Sequence, residues 1–275
     1  MRPLARALTV LPSAQHRDDR YFYFWYDGLW ALGALAWISL LRAIDHAPLL
    51  DAWDARVLWL LPLAMYAQIL CSAWIHNAAH GNFPRAINRA VGEILGAVVL
   101  TRFASWEIVH HRHHRFSDDP ARDPHPVQPG YWRFTWHMIV NVERQLQRAS
   151  FERWGDTAAQ RRFERLRATM SFGTGVLLLA AWHATLGTVA FFGLFVPATA
   201  VGVLHLAHFN WSTHGGPWSA RPYRARNLDH GLYRVGNALW HGIYFHANHH
   251  RRPGLFDPRA LGGGEAVFTP DAPPR

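Results

Sequence analysis

Apolar residues in this chain gather in four long runs, at about 23–44, 57–76, 169–186 and 188–208. Each approaches the roughly 20 residues that an α-helix needs to cross a bilayer. The runs pair into two hairpins. The link inside the first, Arg42 to Arg56, carries Asp45, Asp51 and Asp54, whereas the link inside the second, Thr185 to Gly187, carries no charge. A fifth apolar stretch, 88–105, is interrupted by Arg89, Glu93 and Arg102, a pattern that predicts a helix lying in the membrane interface rather than a span. Residues 141–168 mix arginine and glutamate with Leu146, Phe151, Trp154, Phe163 and Leu166, which predicts an amphipathic surface helix. The tail after Leu261 contains glycine and proline and is expected to be loose. The whole reads as one all-α integral membrane domain over 1–275: four transmembrane helices in two hairpins, with a helical cap from 77–168 and 215–260.

Charge orients this map. The chain carries a formal net charge of +9 and no lysine, so its basic character is all arginine. Almost all of that arginine lies outside the two short links, which by the positive-inside rule places the N-terminus, the 77–168 segment and the chain from 215 in the cytoplasm. Arginine used to the exclusion of lysine points to a GC-rich bacterial genome, and so to the cytoplasmic (inner) membrane. The opening MRPLARALTVLPSAQ is basic but lacks a hydrophobic core, so a cleaved signal is not expected. Trp25, Trp30, Trp53 and Trp59 fall near the predicted membrane edges, where aromatic belts sit. The lone Cys71 excludes disulfides and cysteine-based zinc ribbons. The arginine-rich cap suits an acidic partner or a phosphate-bearing head group, and no nucleic-acid partner is expected.

Three histidine clusters supply the chemistry: HNAAH (His76 to His80), HHRHH (His110 to His114) and HANHH (His246 to His250). On a helix, residues three or four apart share a face. His76 with His80, His110 with His113 and His114, and His246 with His249 and His250 therefore each aim at one point. His111 is also three residues from His114, so a change of register by one residue would exchange it with His110. Eight imidazoles exceed the four ligands that close a zinc site. Two irons with open positions for oxygen use about this number, which makes the cluster a candidate for a paired-metal oxidation centre. A zinc protease is disfavoured because Asn77 stands where the HExxH pattern has its glutamate. A metal transporter would carry ionisable residues within its spans, and the predicted membrane interiors hold little beyond Gln68, Ser72 and Thr174.

The segment HHRHHRFSDDPARDPHPVQPGYW, His110 to Trp132, resembles the central box of the membrane fatty acid (acyl) desaturase family, in which a histidine box is followed by Ser/Thr-Asp, Asp-Pro-His, and then glycine and aromatics. The other pieces occur in the family's order: a first box at the end of the second run, an Asn210-x-x-x-His214 pair at the end of the fourth, an Arg-Pro-Tyr at Arg221 to Tyr223, and the last box. The resemblance extends from the first run to about Pro253. It implies that His76, His80, His110, His113, His114, His214, His246, His249 and His250 ligate two irons, with Asn210 holding an iron-bound water. His214 enters through the resemblance alone. Repetition of HxxHH in the third box favours His110 over His111.

The same resemblance implies an O2-dependent di-iron desaturase that introduces a double bond into a fatty acyl chain, held as a thioester or lipid-linked in an apolar tunnel between the spans. Sister reactions on this scaffold are hydroxylation, acetylene formation, oxidative decarboxylation to a terminal alkene, and carotenoid ketolation. A separate electron donor, such as a ferredoxin-type protein with its reductase, is implied because the chain carries neither a haem-domain motif nor a GxGxxG fingerprint. Ile243 departs from the family, since acyl-CoA-type members commonly carry an acidic or amide residue three positions before the last box. His205 and His208 are expected to snorkel at the interface, and His183, His230 and His241 to be structural. Asp118, Asp119 and Asp123 are candidates for hydrogen bonds to ligand N–H groups, for pairing with arginine, or for turns beside Pro120 and Pro124.

Overall fold

The computed structural model describes residues 9–126, 130–214 and 225–263. The Arg221 to Tyr223 motif and nearly all of the expected loose tail lie outside those residues. Among the described residues the chain is helical throughout, apart from one isolated bridge between Asn227 and Phe245. In order the helices are α1 (Pro12–Asp18), α2 (Phe22–Ala43), α3 (Ala55–Ala79), α4 (Asn88–Val98), α5 (Phe103–Phe116), α6 (Tyr131–Trp154) and α7 (Ala158–Ala190). A π-helical turn (Phe191–Phe195) leads into α8 (Val196–Thr213), followed by the short α9 (Gly231–Leu239) and α10 (His246–Arg251).

Three helices are long and apolar enough to cross a membrane: Phe22–Ala43, Ala55–Ala79 and the run Ala158–Thr213. The outer faces of α2 and α3 expose Trp25, Leu29, Leu32, Leu58, Trp59 and Leu63, an apolar band of the kind a hydrocarbon environment accommodates. The third run is not straight. Gly187 has φ 74° and ψ 166°, a conformation open to glycine, and an added Cβ there would overlap Pro48. Beyond it Trp182 stacks on Phe195 with ring centres 5.0 Å apart. Residues that far apart along an unbroken helix would be separated by about 20 Å, so the axis turns back at Gly187. The turn is tied to the 44–54 loop by Leu49 N–H donating to the Leu186 carbonyl (3.1 Å) and to α2 by Trp37 Nε1 donating to Thr185 Oγ1 (2.9 Å).

Two expectations need correction. The 88–105 stretch is not a single helix. Helix α4 ends at Val98, Leu100 takes a left-handed φ of 53°, and α5 begins at Phe103. Its charges turn inward. Arg89 pairs with Glu93 at 3.2 Å, Tyr26 donates to Glu93 at 2.6 Å, and Arg102 pairs with Asp27, while Ile94 is exposed. Residues 141–168 are likewise not one helix. Gly155 (φ 85°) ends α6, and the Thr157 hydroxyl caps α7 by accepting from Gln160 N–H at 3.1 Å. Helix α7 then runs without a break from this polar start into the third apolar run, while α6 exposes Trp132, Trp136, Ile139 and Val140 along its first half.

A buried polar network fastens the apolar helices to the cap. Asp27 on α2 is fully buried, pairs with Arg102 and accepts a hydrogen bond from Ser171 on α7 at 2.6 Å. Deeper toward the cap, buried Arg167 pairs with Glu164 at 2.7 Å and with Glu143. Removing one partner of such a pair strands the other charge at a cost of about 3–5 kcal/mol. Asp27→Ala is therefore expected to lower stability by about that amount in detergent melts followed by circular dichroism. The double variant Asp27→Ala/Arg102→Leu should recover much of the loss, because it leaves no uncompensated charge.

Candidate metal centre

The C-terminal end of α3 presents His76, with His80 at its cap; α5 presents His110, His113 and His114; the end of α8 presents His214; and α10 presents His246, His249 and His250. They sort into two groups. His76, His80, His110, His114 and His249 form one, and His113, His214, His246 and His250 the other, with one ring nitrogen from each residue within 4.8 Å of every other in its group. In both HxxHH boxes the i,i+4 pair joins one group and the i+3 residue the other. This follows from helix geometry, because i+4 lies on one side of residue i and i+3 on the other.

Nearest nitrogens within the groups approach to bonding-shell distances. His80 Nε2 lies 2.7 Å from His110 Nε2, His110 lies 3.2 Å from His114, and His114 lies 3.0 Å from His249. In the second group His113 and His214 are 3.2 Å apart, His214 and His246 2.9 Å, and His246 and His250 3.1 Å. A metal about 2.1 Å from each imidazole nitrogen spaces ligands set at right angles by about 3.0 Å and tetrahedral ones by about 3.4 Å. The observed separations fit the closer packing of a shell with more than four positions. The buried Nε2 of His76 finds no hydrogen-bond partner among the described residues, which is the condition of a lone pair reserved for a metal. The residues therefore fit two metal ions, one in each group.

Electrostatics keep these rings available. Burial, reinforced by neighbouring imidazoles, pushes His110, His114, His246, His249 and His250 well below the ordinary histidine range, so they stay neutral with lone pairs to offer. His113 differs: burial opposes its charged form, but Asp123 at 2.9 Å outweighs burial and raises it. Asp118 Oδ1 accepts a hydrogen bond from His214 Nδ1 at 3.0 Å. These two carboxylates fix the Nδ1 protons and point Nε2 into the second group. Asp123 in turn accepts from the backbone N–H of Asp118 (2.7 Å) and of His125 (2.8 Å). Asp119 takes the other expected role, forming a turn and pairing with Arg122 at 2.6 Å.

The remaining positions separate clearly. His111 points away from both groups: its Nε2 meets the Ala79 carbonyl at 3.0 Å and its Nδ1 meets Glu107 at 3.2 Å. Asn210 lies one turn before His214, with its Nδ2 donating to the Leu206 carbonyl at 2.9 Å. His205 and His208, both half-buried, approach the Tyr244 hydroxyl at 3.2 and 3.4 Å. His183 contacts Thr188 near the Gly187 turn, His230 packs on Tyr233, and His241 stacks on Trp74. Ile243 is buried against Phe209 and Leu228, where an apolar side chain completes the packing beneath the last box.

Several residues that position the site were not singled out from sequence. Asn227 and Asn248 clamp α10 through paired bonds of 3.0 and 3.1 Å, and Asn88 Nδ2 holds the Ala78 carbonyl within the first box at 2.9 Å. Asparagine within the boxes themselves was the available signal. Buried Glu107, pushed up to about 7 by burial, accepts from Ser13 N–H at 2.6 Å and backs His111. Beside the first group lies an apolar cavity of about 520 Å³ between α5, α6, α7 and α8, lined by Trp106, Val109, Met138, Leu146, Leu178 and Leu206, with His125 at its wall. Trp106 stacks on His110 at 5.2 Å, and His125 lies 5.7 Å from His113. One aromatic ring thus separates the cavity from each group.

Fold and site together define an all-helical protein with membrane-length apolar helices and two adjoining groups of histidines that could each hold a metal ion. The family model described as fatty acid desaturase matches residues 51–256, and the chain belongs to the fatty acid desaturase family, whose members are oxidoreductases acting on fatty acyl substrates. No curated protein and no solved structure matches the chain.

The buried imidazoles generate a pH signature in the metal-free protein. In the unfolded chain His110, His114, His246, His249 and His250 bind protons near the ordinary value of about 6.5, whereas the folded state leaves these five neutral, so they withdraw stability as pH drops below about 6.5. Glu107 and His113, both raised in the folded state, work the other way in that window. The melting temperature of the apo-protein is expected to fall steadily from pH 7 to pH 5, and saturating metal should flatten the upper part of the profile. A pH-independent melt would contradict neutral, buried rings.

Proposed function

We propose that the chain is a membrane-bound, O2-dependent di-iron desaturase that introduces a double bond into a fatty acyl chain. The observation that carries this reading is the sorting of nine imidazoles into two adjoining groups, each sized for one ion, beside an apolar cavity. His76, His80, His110, His114 and His249 are assigned to one iron and His113, His214, His246 and His250 to the other, with Asn210 assigned to hold an iron-bound water. Bound iron with O2 supplies an oxidant able to take hydrogen from an unactivated methylene.

The protein's share is position, dryness and charge. Neutral imidazoles leave the metals' positive charge uncompensated, which favours reduction from outside, while Asp118 and Asp123 temper it through His214 and His113. The mainly apolar cavity lining would hold the acyl chain extended against Trp106 and His125. Removing two hydrogens while reducing O2 to two waters consumes two electrons and two protons. With no redox-cofactor motif in the chain, a separate one-electron carrier and its reductase must supply the electrons.

The setting proposed is a bacterial inner membrane crossed by four spans in two hairpins. The turn at Gly187 supports dividing the third apolar run in two, and the Leu49 to Leu186 hydrogen bond supports a reading with both short links at one end. The histidine groups would then face the cytoplasm with the arginine-rich cap.

Expression in a host with a redox partner, followed by mass spectrometry of total fatty acids and hydrocarbons, tests the reaction. A new mono-unsaturated chain two mass units lighter than its parent, absent with His113→Ala, is the expected result. A hydroxy acid, an alkyne, a shortened terminal alkene or a ketocarotenoid would assign the chain to a sister oxidation instead.

A further inference from the structure

A second concavity, of about 630 Å³, opens on the cap between α1, α5 and α6. Its floor is apolar, built from Leu11, Ile108 and Ala149, and its walls carry Arg17, Arg112, Arg115 and Arg153 against the single carboxylate of Glu152. Glu152 is taken by Arg112 in a two-point pair at 2.6 and 3.0 Å. Arg17, Arg115 and Arg153 form no ion pair among the described residues; Arg115 rests on the Phe116 ring and Arg153 on Trp154. The cleft therefore presents a cluster of cations with an apolar centre, the arrangement that steers and seats an acidic protein.

Its place on α5 decides what kind of anion it fits. Three rows of that helix point three ways. Ser105, Trp106 and Val109 line the apolar cavity, His110, His113 and His114 enter the histidine groups, and Ile108, His111, Arg112 and Arg115 line the cleft. Cleft and cavity share no lining residue, and α5 stands between them. A phosphate-bearing head group seated in the cleft would have to send its acyl chain around that helix to reach the cavity. Electrons face no such detour. His111 sits in the cleft lining, bonds the Ala79 carbonyl at 3.0 Å, and lies 5.9 Å, ring centre to ring centre, from His80 of the first group. One imidazole separates the cleft from the metal-binding rings.

We propose that this cleft is the docking site of an acidic one-electron carrier protein, with Arg17, Arg115 and Arg153 holding it and His111 as the shortest cover over the histidine groups. The inference rests on the desaturase reading for its purpose, and its test is separable from that reading. The full-length, metal-loaded protein in nanodiscs is titrated with a plant-type [2Fe–2S] ferredoxin, and turnover is measured with ferredoxin or with dithionite and a small mediator as reductant.

Arg17→Glu/Arg115→Glu/Arg153→Glu is expected to weaken ferredoxin binding by about tenfold or more at low salt, with the difference shrinking as ionic strength rises. Dithionite-driven turnover and the KM for acyl substrate should not change. A control of equal charge change on the exposed Arg133, Arg165 and Arg234 should bind ferredoxin far better than the cleft variant. Absent binding by the wild type, or equal weakening in cleft variant and control, would overturn the docking site. So would a raised acyl-substrate KM under dithionite in the cleft variant, which would make the cleft a head-group site. If the binding contrast holds but dithionite yields no unsaturated product, the docking site stands and the desaturase reading fails.

Discussion

Nine imidazoles share two small volumes of this protein's interior, and most of them are tolerable there only while neutral. A charged ring would lose its hydration and face other imidazoles at close range, which is why burial pushes His110, His114, His246, His249 and His250 well below the ordinary histidine range, whereas Asp123 holds His113 above it. Neutrality leaves lone pairs crowded toward two centres, with a buried nitrogen on His76 lacking a hydrogen-bond partner among the described residues. The arrangement is costly as a hydrogen-bonded core and economical as a ligand shell. Much of the surrounding architecture serves to keep the rings in register: Asp118 and Asp123 fix tautomers, while asparagines hold the backbone of the first and third boxes.

Helix α5 is where these requirements meet. In 14 residues it delivers three rings to the two groups, walls the apolar cavity with Trp106, and carries the basic edge of the cap cleft. The separation depends on the 100° step between residues: changing the register by one position would send His111 toward the metals and His110 toward Glu107. The anchoring of α5 is correspondingly strong. Its N-cap residue Arg102 is paired with Asp27 of α2, and its midpoint, Glu107, is bonded to Ser13. Apolar helices and cap are thereby linked at the helix that carries most of the chemistry.

The broad outline was legible because it rests on local pattern. The first two apolar runs appear as helices within a few residues of their expected ends, and the family read from the Ser-Asp and Asp-Pro-His context around His110 is the one whose model matches the chain. The preference for His110 over His111 agrees with the side of α5 each residue occupies. What sequence did not reveal depends on distant partners. Arg89, Glu93 and Arg102 looked like surface charges interrupting an apolar run, yet each finds a partner inside the fold, two of them from α2. The break at Gly155 was hidden because the amphipathic pattern continues on both sides of it. Nor does any local rule tell which group a histidine joins: His113 and His114 are neighbours in the chain and serve different groups.

One iron in each histidine group is what the proposed chemistry requires. Iron content by elemental analysis, with anomalous scattering at the iron edge from crystals of the same preparation, is the decisive measurement. Two irons per chain, one among His76, His80, His110, His114 and His249 and one among His113, His214, His246 and His250, is the predicted result. A single metal position shared by both groups, or a four-coordinate zinc that iron cannot displace, would contradict it.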